Sequence, residues 1–472
     1  MSIEQLVRDT LVSYADRAGP PPDELDRTVL ARHRRSRRQR AAIVSASVCA
    51  VLAIVAVPVA MSTGHAPDAP GFAQGGAGGI FDLPTRGSLA DDAQFVEAVR
   101  RLPWKDRLGR TPLPPDLVEP ALDTRRVVFA GEVPGGRWVM VVGTVNDELL
   151  AAWFTGSSGA EATELAVQDA PHGIDPNHPV AFTKAGTAEQ AMVVIGAPGD
   201  VIEVSDRGVL AESGAVSRDY RRVQAVDGVA VVNVSLLPPF TQTAMSVRVT
   251  RDTDEVFRGR PDISGSPQDA PPPELVQVRP GATEPELQAA RATLSVLTEP
   301  FGLGPDEADA ALLWAGDVPS PGRSPASAIV VALTVPSGAI AVAVDWNVPI
   351  DDQGTRAGSR CLQEAYPGGV AAADLLIAAR CDITVLTDAA DQDSVSSLII
   401  VGPVNAVEAK LLGADGSDLG TIPLVDGVGA PGFVDGSTTV LALDGDGRVI
   451  AEAAVSTYEG GDWGNYGSGP TR

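Results

Sequence analysis

Residues 41–61 constrain this chain more than any other stretch. They read AAIVSASVCAVLAIVAVPVAM, 21 residues without a charge. A helix needs about 20 apolar residues to cross the hydrocarbon core of a bilayer. Ser45 and Ser47 are the only polar side chains, and hydroxyls of this kind can bond back to helix carbonyls. Pro58 lies near the end, where a membrane helix tolerates a kink. Buried helices of soluble cores are usually shorter. The expectation is therefore a transmembrane helix.

The flanks give it a direction. Residues 32–40, RHRRSRRQR, hold six arginines, whereas residues 62–85 hold no Lys or Arg. The positive-inside rule then places residues 1–40 in the cytoplasm and everything after residue 61 outside it. A cleaved signal peptide is the rival reading. Against it stand the 40-residue leader and the poor cleavage site Pro58-Val59-Ala60. Cys49 follows Val48, not the small residue that a lipid-attachment site requires.

Charge narrows the partners. The chain carries −25, and residues 1–40 carry nine Arg against six acids, so residues 41–472 carry −28. A surface this acidic lacks the basic footprint of a DNA- or RNA-binding protein. Arginine outnumbers lysine 33 to three, the lysines being Lys105, Lys184 and Lys410. With abundant Ala, Gly, Pro and Val, this is the composition of a GC-rich genome. Cys361 and Cys381 both fall outside the membrane, 20 residues apart, and an oxidising exterior predicts a disulfide between them. Two free thiols are the alternative.

The organisation follows from spacing. Residues 2–14 place Ile3, Leu6, Val7, Leu11 and Tyr14 at helical intervals, with Ser2 and Gln5 as a capping box. Gly19-Pro20-Pro21-Pro22 ends that helix, and residues 23–40 read as a second, basic one. Residues 62–85 are rich in Gly, Ala and Pro and read as a flexible linker. Residues 258–281, centred on Pro271-Pro272-Pro273, read as another, and residues 458–472 as a disordered tail.

Between the linkers the text repeats itself. An opening helix uses Phe95, Val96, Val99 and Leu102 after a Ser88 cap; its counterpart uses Leu287, Ala290, Leu294 and Leu297 after the box Thr283/Glu286. The run VVFAGEVP at 127–134 matches LLWAGDVP at 312–319. Hairpins follow: 138–145 with 147–154, and 328–335 with 339–346, turning at Asn146-Asp147 and at Pro336-Ser337-Gly338. Further on, VVIG at 193–196 matches IIVG at 399–402, VIE at 201–203 matches AVE at 406–408, and VDGV at 226–229 recurs at 425–428. Conserved order over such a length predicts two tandem duplicated domains, residues 86–257 and 282–457. Each reads as β-rich α+β, sandwich- or barrel-like, with an opening helix. The two differ where the first has residues 169–178 and the second has the segment bounded by Cys361 and Cys381.

Little in the chain points to chemistry. The run DAPHGIDPNH at 169–178 brings His172 and His178 near several acids, but its spacing fits no zinc pattern. Gly196 and Gly199 precede a strand-like run, so they read as a turn and not as a phosphate loop. Asp415-Gly416-Ser417-Asp418 and Asp444-Gly445-Asp446-Gly447 lack the flanking helices and terminal Glu of a calcium loop and read as hairpin turns. Gly-x-Ser-x-Gly, Ser-x-x-Lys and His-Glu-x-x-His do not occur. No catalytic, cofactor-binding or metal-binding residue is assigned and no cofactor is expected.

Residues 25–40 and 41–61 together resemble a set of actinobacterial single-pass membrane proteins of unknown function. These have a short Arg-rich cytoplasmic N-terminus, one transmembrane helix and an extracytoplasmic domain. Some are anti-sigma-like regulators, although residues 1–40 here hold His33 and no Cys, unlike the zinc-binding anti-sigma pattern. The expectation is a non-enzymatic, membrane-anchored extracytoplasmic binding protein whose partner is an envelope protein or glycan. The alternatives are a transmembrane regulator holding a cytoplasmic partner through residues 1–40, and an envelope enzyme using His172 and His178.

Overall fold

The computed structural model describes residues 79–104, 118–168, 171–185, 190–234, 243–265, 273–319, 326–349, 356–386, 392–458, 460 and 463. The runs at 2–14, 23–40 and 41–61 lie outside the described residues. Among the described residues no helix is long and apolar enough to cross a membrane.

The described chain is β-rich, and its N-terminal half is a stack of layers. Helix α1 (Ala93–Arg100) lies on a sheet of β1 (Arg126–Val133), β2 (Gly136–Val145), β3 (Glu148–Gly156), β4 (Ala166–Val167) and β5 (His172–Gly173). The helix faces the sheet with Phe95 and Val99, which join Val139, Val141 and Phe154. Asp92, not Ser88, is its N-cap: Oδ1 accepts the Phe95 N–H at 3.0 Å. Ser88 Oγ instead accepts the N–H of Glu132.

The opposite face of that sheet meets a second one, ordered β12 (Val229–Asn233), β7 (Ala191–Ile195), β6 (Val180–Lys184), β15 (Asp262–Ser264). Trp138, Met140, Val142 and Trp153 contact Phe182, Val193 and Ile195 across the gap. Trp153 stacks on Phe182 with centroids 4.5 Å apart, and Trp138 meets Phe182 edge-on at 5.3 Å. Such aromatic pairs contribute about 0.5–1.5 kcal/mol beyond their area.

A third sheet, β11 (Arg221–Arg222), β8 (Val201–Ser205), β13 (Ser246–Arg251), β14 (Asp254–Gly259), covers the far side of the second. Met192 and Val194 of β7 face it, against Val204, Val247 and Val249. Both faces of β7 are thus buried. This is why its text, AMVVI, is continuously apolar and does not alternate.

The C-terminal half has the same layers. Helix α2 (Glu284–Thr298), with the predicted capping box at Thr283 and Glu286, covers a sheet ordered β16 (Leu275–Gln277), β17 (Asp309–Val318), β18 (Ala326–Thr334), β19 (Ile340–Pro349), β20 (Arg356–Tyr366). Behind it lie β21 (Ile377–Leu386), β22 (Gln392–Val401) and β25 (Val428–Gly429), and then β24 (Asp418–Pro423), β23 (Glu408–Gly413), β26 (Ser437–Leu443) and β27 (Val449–Ala454). None of these sheets closes into a barrel; each is open, and in the first β5 pairs with β3 beside β4. Small residues fill the gap behind the helix-bearing sheet here, among them Ala328, Ala332 and Ala379. The Cys361 and Cys381 sulfurs meet in that gap at disulfide distance, with both residues buried, so β20 of one sheet is tied to β21 of the next.

The halves touch through a hairpin of β9 (Gly208–Leu210) and β10 (Val216–Arg218). Leu210 enters the C-terminal core beside Phe301 and Leu333. Its carbonyl accepts from Ser337 Oγ at 2.7 Å, the Gly368 N–H donates to the Glu212 carbonyl at 2.8 Å, and Arg207 pairs with Glu307.

Three sequence expectations need correction. Residues 79–85 do not behave as spacer, because Ile80 and Phe81 are buried in the N-terminal core. The stretch read as a linker, residues 258–281, contributes the end of β14 together with β15 and β16; only 266–272 lie outside the described residues. The tail at 458–472 is not wholly detached either, since Trp463 packs edge-on against Phe301 at 6.0 Å. Core strands recruited these flanks because each left an unpaired strand edge or apolar face beside it.

Replacing Cys361 and Cys381 together by Ala should lower stability by about 3 kcal/mol, the chain-entropy value for a loop of this length. Denaturant unfolding with and without reductant measures it. Equal midpoints for wild type under both conditions would exclude a bonded pair.

Candidate binding cleft

The site is built from a bulge, a proline and an arginine. Pairing of β17 with β18 shifts register between Leu312 and Trp314. A bulge adds one residue to a strand and re-aims the side chains that follow. Here it turns Leu313 and Trp314, neighbours in sequence, toward the same inter-sheet gap, while Leu312 faces helix α2. The bulge between Val127 and Phe129 of β1 turns Val128 and Phe129 the same way.

What covers that aromatic ring differs. In the N-terminal half, residues 86–89 run beside β1: Arg86 N–H donates to the Val128 carbonyl, Ala130 N–H to Arg86, and Leu89 N–H to Ala130. Phe129 beneath them is 1% exposed. In the C-terminal half, β16 pairs with Ala310–Leu312 and Val278 N–H reaches the Leu312 carbonyl. Two residues later stands Pro280, which has no N–H to continue the ladder. The chain leaves at Gly281, and Trp314 stays partly exposed. Its ring lies over Gly316, where any side chain would strike it.

The result is a cleft of roughly 490 Å³ at the junction of two sheets. Trp314, Asp317, Arg279 and Asp426 line it, with Pro280 and Gly281 on one side and Val425, 76% exposed, on another. The volume falls in the range of small-molecule sites.

Arg279 holds the two walls together. Nη1 donates to the Leu313 carbonyl at the bulge (2.7 Å), Nε to Asp426 (2.7 Å) and Nη2 to Gly402 (2.6 Å). Burial pushes the guanidinium below its ordinary pKa, and the Asp426 carboxylate opposes this. An arginine remains charged regardless. Arg86 makes the corresponding connections in the other half, from Nη1 to Gly196 (2.7 Å) and Asp227 (3.2 Å). In both places the acceptor sits in a Val-Asp-Gly-Val turn whose Asp has positive φ, 49° at Asp227 and 50° at Asp426. A Cβ on Gly427 would lie 2.2 Å from the Pro403 carbonyl oxygen, and one on Gly228 2.4 Å from that of Ala197. Only glycine permits so close a backbone approach.

A second cavity, roughly 430 Å³, opens between α2 and the β19–β20 pair. Its polar wall is a closed network. Asp345 accepts from Arg360 Nε at 2.8 Å and Nη2 at 3.1 Å, and from Thr293 Oγ1 at 2.8 Å; Arg360 Nη1 donates to Gln363 Oε1 at 3.1 Å. The charges here are already paired, which favours a structural role.

The residues weighed from sequence are dispersed. His172, on β5, lies 3.6 Å from Asp262, whereas His178 Nδ1 lies 2.9 Å from Asp175 in its own loop. The Asn177 backbone N–H, and then His178, hold the Asp175 carboxyl below its usual range. Among the described residues no group of three His, Cys, Asp or Glu could hold a metal ion. Gly196 and Gly199 form the turn between β7 and β8. The Asp415 and Asp444 carboxylates accept N–H groups of their own hairpin turns, at 3.0 Å from Ser417 and 2.9 Å from Asp446. Sequence reading passed over Trp314 and Arg279. The signal was present in Pro280, the proline just after Arg279, beside a Phe129-to-Trp314 difference between matched runs.

No protein-family model and no curated protein matches this chain, so the chemistry of the cleft is argued from its own residues. Arg279→Met should strip donors from three carbonyls and cost about 2–3 kcal/mol. Chemical denaturation tests it, with Arg86→Met as the parallel case. Wild-type stability in either variant would show that latch to be dispensable.

Proposed function

We propose that the protein is a membrane-anchored, extracytoplasmic binding protein whose binding surface lies in two tandem copies of one β-rich domain, residues 86–257 and 282–457. The observation that carries the reading is the cleft beside Trp314: an aromatic ring kept partly open, between walls fixed by a half-buried arginine, on stacked sheets. Preorganised concave sites of this kind bind ligands without ordering new structure.

Support for the duplication comes from matched detail. Both halves share the order of layers, a bulge at the same place in the matched runs, and an arginine spent on a Val-Asp-Gly-Val turn. Shared topology can arise by packing rules alone. A shared bulge, turn and carbonyl-bound arginine are far harder to reach independently, because each is a specific local feature.

Support for the anchor comes from the uncharged run at 41–61 and the arginines before it. The resemblance to actinobacterial single-pass proteins points the same way. Most of the acidic excess then falls outside the cell.

Topology is read by tagging each terminus in turn and treating intact cells with protease. The C-terminal tag should be lost and the N-terminal tag kept. The opposite pattern, or protection of both tags until lysis, would overturn the placement.

A further inference from the structure

The cleft's chemistry narrows what it takes. Resting on the binding reading above, we infer that the Trp314 cleft binds an organic cation, an alkylammonium or guanidinium group, with the cation against the indole face and the Asp317 and Asp426 carboxylates as counter-charges.

Three observations converge. The first is the ring. An indole is the best of the aromatic faces for a cation, and the interaction strengthens when the pair is desolvated. Trp314 sits in a cleft rather than on an open surface, and among the described residues it is the one large aromatic side chain lining it. The matched position, Phe129, is sealed under residues 86–89. The opening is therefore a local property of the C-terminal half, created where Pro280 stops the strand pairing.

The second is charge. Among the described residues, two carboxylate residues and one guanidinium line the cleft. Three of the guanidinium's nitrogens are spent on main-chain carbonyls, at 2.6–2.7 Å, so its role is to hold the walls. The local balance is one negative charge in excess. Residues 75–472 carry −27 (the −28 of residues 41–472 less Asp68), a net charge that draws cations in and repels anions.

The third is shape. Gly281, Gly429 and Ala430 leave the cleft walls open, and Val425 forms an apolar rim. A site of roughly 490 Å³ accepts a Lys- or Arg-sized chain: the methylenes lie against valine and the ring, and the head reaches the carboxylates.

Isothermal titration and indole fluorescence of the purified full-length chain test this, with Trp314→Phe and Trp314→Ala used to isolate the one ring. The probes are Nα-acetyl-lysine methylamide and Nα-acetyl-arginine methylamide, the free diamine putrescine, the uncharged Nα-acetyl-norleucine methylamide, and maltose. Saturable binding of the cations, weakened by salt and by roughly tenfold in Trp314→Ala but less in Trp314→Phe, is the expected result. Asp317→Asn should weaken the cations and leave any norleucine binding unchanged. Putrescine binding without the capped amides would identify a free amine as the ligand. The reverse would identify a basic side chain of a protein or peptide. Norleucine amide binding as tightly as lysine amide would overturn the cation assignment. Maltose binding lost in Trp314→Ala, with no response to cations, would overturn it too while leaving the cleft as a binding site. No response at Trp314 to any probe, in protein whose unfolding is cooperative, would sink both the assignment and the cleft.

Discussion

A sheet buried on both faces is the constraint from which the rest of this architecture follows. β7 and β22 each sit in the middle of a three-sheet stack, and no residue of Ala191–Ile195 or of Leu398–Ile400 has a solvent face. Such a strand has no polar side from which to take its register. The neighbours must supply it. In the N-terminal half the Trp153–Phe182 stack does so from one side, and in the C-terminal half the Cys361–Cys381 pair ties the same layers at a different point. The stacked aromatic pair of one half has a covalent link flanked by small residues in the other, beside Trp346, two solutions to one packing requirement.

Arginine carries the polar part of that requirement. The excess of 33 Arg over three Lys is more than a consequence of base composition. The structure uses many of these arginines internally. Arg86 and Arg279 bridge layers through carbonyls, Arg360 closes a network on Asp345, and Arg125, Arg137, Arg248 and Arg380 lie over aromatic rings. Lysine fits these places poorly. Its ammonium is a strongly hydrated point charge, whereas a planar guanidinium reaches several acceptors at once and stacks. The latch beside Trp314 uses that difference, because Leu313, Gly402 and Asp426 are each held by a separate nitrogen of one planar group.

The cleft itself is a consequence of one missing N–H. Where residues 86–89 close over Phe129, Pro280 cannot extend the ladder along β17, and the chain swings toward helix α2. The exposed aromatic ring, the re-aimed side chain at the bulge and the adjacent acidic turn then come together at one sheet junction. The proposed ligand class follows from this local geometry set in a strongly acidic surrounding.

Much was readable from sequence because it was written in local rules. The strand runs with their turns, among them Asn146-Asp147, and the Thr283/Glu286 box all follow from short-range physics. So did the cysteine pairing, since only two cysteines fall beyond residue 61. The cap at Asp92 was misjudged because Ser88 is an equally good capping residue, and only its bond to Glu132 across the chain removes it. Residues 79–85 and the described parts of 258–281 departed from the linker reading for a related reason. Proline and glycine mark turns well, but β15 pairs with β6 roughly 80 residues earlier in the chain, and no local signal reports that distance. The order of the layers, the docking of Trp463 on Phe301 and the opening at Trp314 were likewise decided by the tertiary structure alone. Each depends on which strand edge or apolar face remains unsatisfied once everything else has packed, and that is a property of the assembled chain rather than of any segment of it.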